Sequence, residues 1–273
     1  MSTSDSRLMA VTQPLTGVLG VFAHPDDETI MAGGTLAMLH ACGVPTHIAC
    51  ATRGEGGERG EPPVVPDQAA LGPVREAELR CAAEALGVTS LILLGYVDPV
   101  VGPNAELGPF AADFDELTAR VADLIAGCRA RVVLAHGPDG EYGHPAHRLI
   151  YQAVLAAVRE HAPATLFYSV AASVPGVEDH LWNASRTAHL VLDISPWAEA
   201  KIAAMLCHRS QHALFKRRRG LARVEEALRR LESFHREWPP AGDNLPDDDF
   251  AALLRATGAV APPLFAHQKD EPR

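Results

Sequence analysis

At 273 residues the chain exceeds the usual domain length, yet single α/β domains commonly reach about 250 residues, so one domain is expected. Hydrophobic residues make up 47% of the chain and charged residues 21%, which excludes wholesale disorder. The 24 Lys and Arg against 34 Asp and Glu give a formal charge of −10, which argues against nucleic acid as a partner.

Residues 1–14 are polar and mixed, without a positive start or a signal-length apolar stretch, so they read as the disordered N-terminus of a cytoplasmic protein. The longest apolar runs, such as Leu15–Ala23 and Ser90–Leu94, are too short to span a membrane. Short apolar runs then alternate with helical periodicity, the mark of a mostly parallel sheet with crossover helices. Strands are expected at Val18–Ala23, Thr46–Ala51, Ser90–Leu94, Arg131–Ala135, Thr165–Val170 and His189–Leu192. Helices are expected at Glu28–Ala41, Val74–Leu86, Asp113–Cys128, Pro145–His161 and Pro196–His212, the third showing the clearest apolar stripe. Past residue 212, Leu221, Val224, Leu228, Leu231 and Phe234 repeat at helical spacing and predict one more amphipathic helix packed on the domain. Domain boundaries of 15–238 follow, with 239–273 as an extension holding a short acidic helix and a loose tail. The five cysteines, Cys42, Cys50, Cys81, Cys128 and Cys207, are odd in number and widely spaced, and read as thiols in a reducing compartment.

Two long loops, Arg53–Gly72 and Gly95–Ala112, leave the carboxyl ends of expected strands, where open α/β sheets bind ligands. The run Lys216–Arg219 reads as a solvated connection, and Gly54–Glu61 lacks the Lys-Ser/Thr ending of a phosphate loop.

Two clusters carry chemistry. Ala23-His24-Pro25-Asp26-Asp27-Glu28 lies where the first strand meets the first helix, and Pro25 keeps His24 out of helical geometry. One of Asp26 and Asp27 can join His24 on a metal while the other serves as a base; alternatively either carboxylate merely caps the helix. The second cluster, Asp139-Gly140-Glu141-Tyr142-Gly143-His144-Pro145-Ala146-His147, places two histidines three residues apart at a helix start. Alone it could be a surface pair, but both clusters end strands of one sheet and so converge on one edge. A dinucleotide site would want GxGxxG at the first turn, where HisProAspAsp stands instead.

AHPDDE with the later GHPAH, Thr52-Arg53-Gly54-Glu55, Leu94-Gly95-Tyr96 with Asp98, and KIAAMLCHRSQ over 201–211 together resemble the PIG-L/LmbE-type de-N-acetylases from about Gly17 to Gln211. The resemblance implies a Rossmann-like three-layer α/β sandwich with additional C-terminal helices. It also implies a zinc-dependent hydrolase that removes the acetyl group from a small N-acetylglucosamine conjugate. On the family pattern His24, Asp27 and His147 are the metal ligands for one zinc or another divalent ion, Asp26 the general base and His144 the oxyanion stabiliser. Arg53 and Asp98 match positions at the sugar; Lys201, His208 and Gln211 match without an assigned role. The family usually reads GHPDH, and Ala146 here removes a carboxylate that would orient the neighbouring imidazole and raise its pKa, with Asp139 or Glu141 as candidate substitutes. The alternatives are an amidase of the same machinery cleaving a larger acyl group, or a non-catalytic metal- or carbohydrate-binding protein; neither the aglycone nor a homo-oligomeric state is fixed by the sequence.

Overall fold

The computed structural model describes residues 15–102, 106–179, 181–242 and 245–260; the expected disordered residues 1–14 and the tail from residue 261 lie outside them. Strands β1 (Val18–Phe22), β2 (Thr46–Cys50), β3 (Ser90–Leu93), β4 (Val132–Ala135) and β5 (Leu166–Val170) form the parallel part of a seven-stranded sheet; with β8 (Leu190–Asp193) and β9 (Leu231–Trp238) the order is β3-β2-β1-β4-β5-β9-β8. Every residue of β1 and β4 is buried, because helices cover both faces and leave no polar side to the strands. Along β1, Val18 and Phe22 pack toward one face and Leu19 and Val21 toward the other, so one strand feeds two cores. The first core lies under α1 (Asp27–Ala41), α2 (Leu71–Ala85) and α6 (Ala198–Cys207), the second under α3 (Phe114–Gly127) and α5 (Pro145–Glu160). The result is the three-layer α/β fold expected.

Three expectations are corrected. Residues 221–234 do not form an amphipathic helix: a short helical turn at Val224–Ala227 leads into β9 (Leu231–Trp238), antiparallel to both β5 and β8 (Leu190–Asp193). The sheet offers Phe234–Trp238 the open edge of β5 while Leu231–Phe234 pair with β8, and this backbone pairing outweighs a helical period of only five apolar positions. The expected helix Pro196–His212 breaks at His208: α6 ends there, a short turn over Arg209–Gln211 follows, and a new helix, α7 (His212–Arg219), begins after it. Lys216 to Arg219 therefore close a helix. Finally, Cys81 on α2 and Cys207 at the end of α6 form a disulfide instead of remaining thiols; Cys42, Cys50 and Cys128 are free.

The short acidic helix of the extension is α8 (Asp249–Ala256), with Phe250 and Leu254 buried in the first core and Asp248 bonded to Tyr168 and Arg236. A small second sheet pairs β6 (Ala172–Ser173) with β7 (Asn183–Thr187), and it matters because β7 delivers Asn183 to the site. No helix of the described residues is long and apolar enough to cross a membrane.

Candidate active site

Strand order reverses between β1 and β4, and a crevice opens beyond their carboxyl ends. His24 leaves β1 there, and His136, the one-turn α4 (Gly140–Gly143), His144 and His147 follow β4. Three donor atoms meet: His147 Nε2 lies 3.2 Å from His24 Nδ1 and 3.4 Å from Asp27 Oδ2, and His24 Nδ1 lies 3.3 Å from the same carboxylate oxygen. These spacings match the edges of a tetrahedron around an ion bound at about 2.0–2.1 Å, and nitrogen with carboxylate oxygen suits zinc or a similar divalent ion. The donor set therefore fits a metal, and three protein ligands leave a position open.

Each histidine is backed by a carboxylate. Glu141 Oε2 lies 2.5 Å from His147 Nδ1, which leaves Nε2 to face the donor cluster. Asp98 Oδ1 lies 3.2 Å from His24 Nε2, close in distance but off the hydrogen-bonding direction. Both arrangements turn the opposite ring nitrogen inward. Burial alone would lower the His147 pKa, but Asp27 and Glu141 raise it to about 10; burial likewise opposes His24, whose pKa Asp27 and Asp98 raise. Desolvation would raise the Asp27 pKa, yet His147 and His24 hold it well below the usual carboxylate range.

Glu141 is held on every side. Its Oε2 also accepts from His136 Nδ1 at 3.0 Å, and Oε1 accepts from Gly137 N at 3.1 Å and Asn183 Nδ2 at 2.9 Å. Its backbone sits at φ 56°, a region costly for a side chain other than glycine's, so the surrounding bonds hold it there. His136 also lies within reach of Asp27 and His147 as a candidate ligand. Its Nε2, however, accepts the Ala23 backbone N–H at 3.0 Å, and its ring stacks on His147 with centroids 3.8 Å apart, so both nitrogens are engaged in shaping the site. The sequence reading missed His136 altogether; its place one residue past β4, mirroring Ala23–His24 past β1, was the available signal. Of the two suggested substitutes for the absent carboxylate at 146, Glu141 reaches His147, while Asp139 accepts from Ser185 on β7. Ala146 itself is fully buried.

Asp26 stands beside the donor cluster at φ 107°, a strained conformation secured by Glu28, whose Oε2 accepts the Asp26 N–H at 3.0 Å. Glu28 Oε1 is held by Thr29 Oγ1 and His208 Nε2. Burial raises the Asp26 pKa to about 6 while the Arg75 guanidinium, 3.4 Å away, opposes the rise. Arg75 also donates to Pro25 O and Gly54 O; a Cβ on Gly54 or Gly57 would strike its guanidinium, which accounts for the glycines of the Gly-Glu-rich loop. Burial and the neighbouring His24 and His147 lower the His144 pKa to about 3, so its imidazole is neutral; its Nδ1 accepts the Ala146 N–H, leaving the proton on Nε2. Without a carboxylate at 146 to raise its pKa, His144 is held neutral by this environment.

Arg53 does not reach the crevice: its side chain is exposed and pairs with Glu55 at 3.0 Å, and Arg75 lines the cavity instead. Asp98 does line it, beside His24. Of the three unassigned positions, Lys201 Nζ donates to Glu232 Oε1 at 2.7 Å and Ile30 O at 3.0 Å, His208 braces Glu28, and Gln211 donates to Glu58 O. Glu232 in turn accepts from Gly34 N, Thr35 N and Thr35 Oγ1, anchoring the helix that begins with Asp27.

The family described as PIG-L: GlcNAc-PI de-N-acetylase matches residues 19–158. A 1D-myo-inositol 2-acetamido-2-deoxy-alpha-D-glucopyranoside deacetylase of Streptomyces avermitilis is 33% identical over 246 residues, covering 71% of this chain and 82% of the relative. The enzyme of the same description from Mycobacterium sp. (strain KMS) is 34% identical over 245 residues, covering 76% and 77%. The chain belongs to the PIG-L family. Among solved structures, N,N'-diacetylchitobiose deacetylase from Pyrococcus horikoshii superposes with a TM-score of 0.58 at 20% identity, over 86% of this chain and 93% of that one. GalB, the 4-carboxy-2-hydroxymuconate hydratase from Pseudomonas putida, gives 0.57 at 23% identity, over 84% and 99%. A hydratase and a deacetylase on one scaffold show that the fold alone does not name the reaction.

Proposed function

We propose that this chain is a metal-dependent N-deacetylase that hydrolyses the acetamide of a small N-acetylglucosamine conjugate, with zinc held by His24, Asp27 and His147. The three donor atoms 3.2–3.4 Å apart beside the unligated carboxylate of Asp26 carry this reading. A bound divalent ion supplies Lewis acidity toward the carbonyl oxygen and lowers the pKa of its water. Asp26, with a pKa near 6, is ionised at neutral pH and accepts the proton of the attacking water. Neutral His144 donates from Nε2 to the oxygen that gains charge as the carbonyl becomes tetrahedral. Asp26 then returns its proton to the departing nitrogen, releasing acetate and the free amine. The sugar conjugate fits the larger cavity of about 520 Å³, whose wall includes Glu58, Arg75, Asp98, Gln211 and Arg217, groups suited to hydroxyls.

The relatives' inositol-linked 2-acetamido-2-deoxy-glucopyranoside is the first substrate to test. Acetate release should require added zinc, and Asp26→Ala should lower it about 10²–10⁴-fold while zinc still binds. Acetate release at the parent rate in the variant would refute the assignment of Asp26.

A further inference from the structure

The large cavity is not the only space at Asp26 and Asp27. A second cavity of about 70 Å³ opens off the same two carboxylates, walled by Ile30, Met31, Leu181, Leu214, Phe215 and Ala227. Of its other charges, Asp179 and Arg229 neutralise one another across 2.6 Å, and Arg218 lies at the wall beside Tyr142. Tyr142, with Arg218 over its ring at 5.0 Å, stands on the wall that both cavities share.

We infer that the smaller cavity is the acyl subsite, and that it takes unbranched acyl chains longer than acetyl, to about six carbons. This rests on the deacetylase reading above. Hydrolysis divides the substrate at the C–N bond: oxygen of water bonds to the carbonyl carbon, that bond breaks, and the nitrogen leaves with a proton from the water. The two halves must lie on either side of the carbonyl. The amine half is bulky and rich in hydroxyls, so it demands the large polar cavity, and the acyl half is left with the small apolar one. An acetyl methyl occupies little more than one water-sized space of about 10–15 Å³, so a cavity of 70 Å³ holds several more carbons. Each methylene that leaves water here raises kcat/KM about fourfold until the cavity is full.

The test is a series of N-acetyl, N-butanoyl, N-hexanoyl and N-decanoyl glucosamine conjugates with one aglycone, followed by release of the free amine from the zinc-loaded protein. Kinetics of Ile30→Trp, a residue that walls only the smaller cavity, are measured alongside. Butanoyl, two methylenes longer, is expected to exceed acetyl about fifteenfold in kcat/KM, with decanoyl falling away. Ile30→Trp should lower kcat/KM for butanoyl about tenfold more than for acetyl. The proposal is overturned if the parent cleaves butanoyl no faster than acetyl, or if Ile30→Trp slows both substrates equally. The series on the parent protein decides the question even if the variant does not fold. Failure to cleave any member would overturn the deacetylase reading itself, a result distinct from cleavage of acetyl alone.

Discussion

Replacing Glu141 with Gln exchanges one oxygen for an NH2 group in a pocket where four donors converge. In the parent, Oε2 accepts from the Nδ1 atoms of His136 and His147, and Oε1 accepts from Gly137 N and Asn183 Nδ2. An amide can satisfy only one of these pairs. If the NH2 faces the imidazoles, His147 must accept at Nδ1 and carry its proton on Nε2, the atom 3.4 Å from Asp27 that a metal needs bare. If it faces the other pair, two buried donors are left without acceptors, at about 1–3 kcal/mol each. Either orientation loses the charge that makes His147 a strong ligand, and such losses typically weaken metal binding about 10–100-fold. Zinc affinity measured by competition with a chromophoric chelator, with melting of the metal-free protein alongside, separates the two orientations. Affinity within threefold of the parent together with unchanged melting would refute the assigned role of Glu141.

Lys201→Met strands the buried Glu232 carboxylate without its cation, a loss of about 3–5 kcal/mol that thermal melting should register as a fall of about 10 °C. Cys81→Ser opens the cross-link between α2 and α6, which spans 126 residues of chain, and should cost about 2–4 kcal/mol in denaturant melts; the parent with reductant should behave alike. Because Asp27 and Glu141 raise the His147 pKa to about 10, the metal-free site holds a proton there at neutral pH that the ion must displace. Zinc affinity should therefore rise about tenfold per pH unit between pH 6 and 8, with about one proton released per ion; a flat profile would contradict this.

The parallel half of the sheet was legible because buried strands such as Val18–Phe22 are continuously apolar and bounded by turns. The donor cluster was legible in outline because strand ends converge at one edge; local spacing left Asp26 and Asp27 open as ligand, and the family resemblance is what singled out Asp27 beside His24 and His147. Strand β9 was not, because two of its buried positions carry Glu232 and Ser233, whose polarity erases strand alternation while Leu228, Leu231 and Phe234 imitate a helix. What makes those positions polar lies elsewhere in the chain: Lys201 and the middle of α1 for Glu232, and Ala172 O for Ser233. Glu141 was named only as a candidate because its reach depends on a backbone at φ 56° that sequence spacing does not reveal. Arg53 and Arg75 both follow long-loop or helix signals, and only the loop's path decides that Arg75 enters and Arg53 turns out to Glu55.

The place of β9 between β5 and β8 also sets an order of events during synthesis. β8 leaves the ribosome first, yet it has no edge of the sheet to join until residues 231–238 follow it. The same late strand brings Glu232, the anchor of the helix whose first turn carries Asp27 and Glu28. A nascent chain that stops after β8 can therefore assemble the strands on either side of the crevice before Glu232 reaches Gly34 and Thr35 on α1.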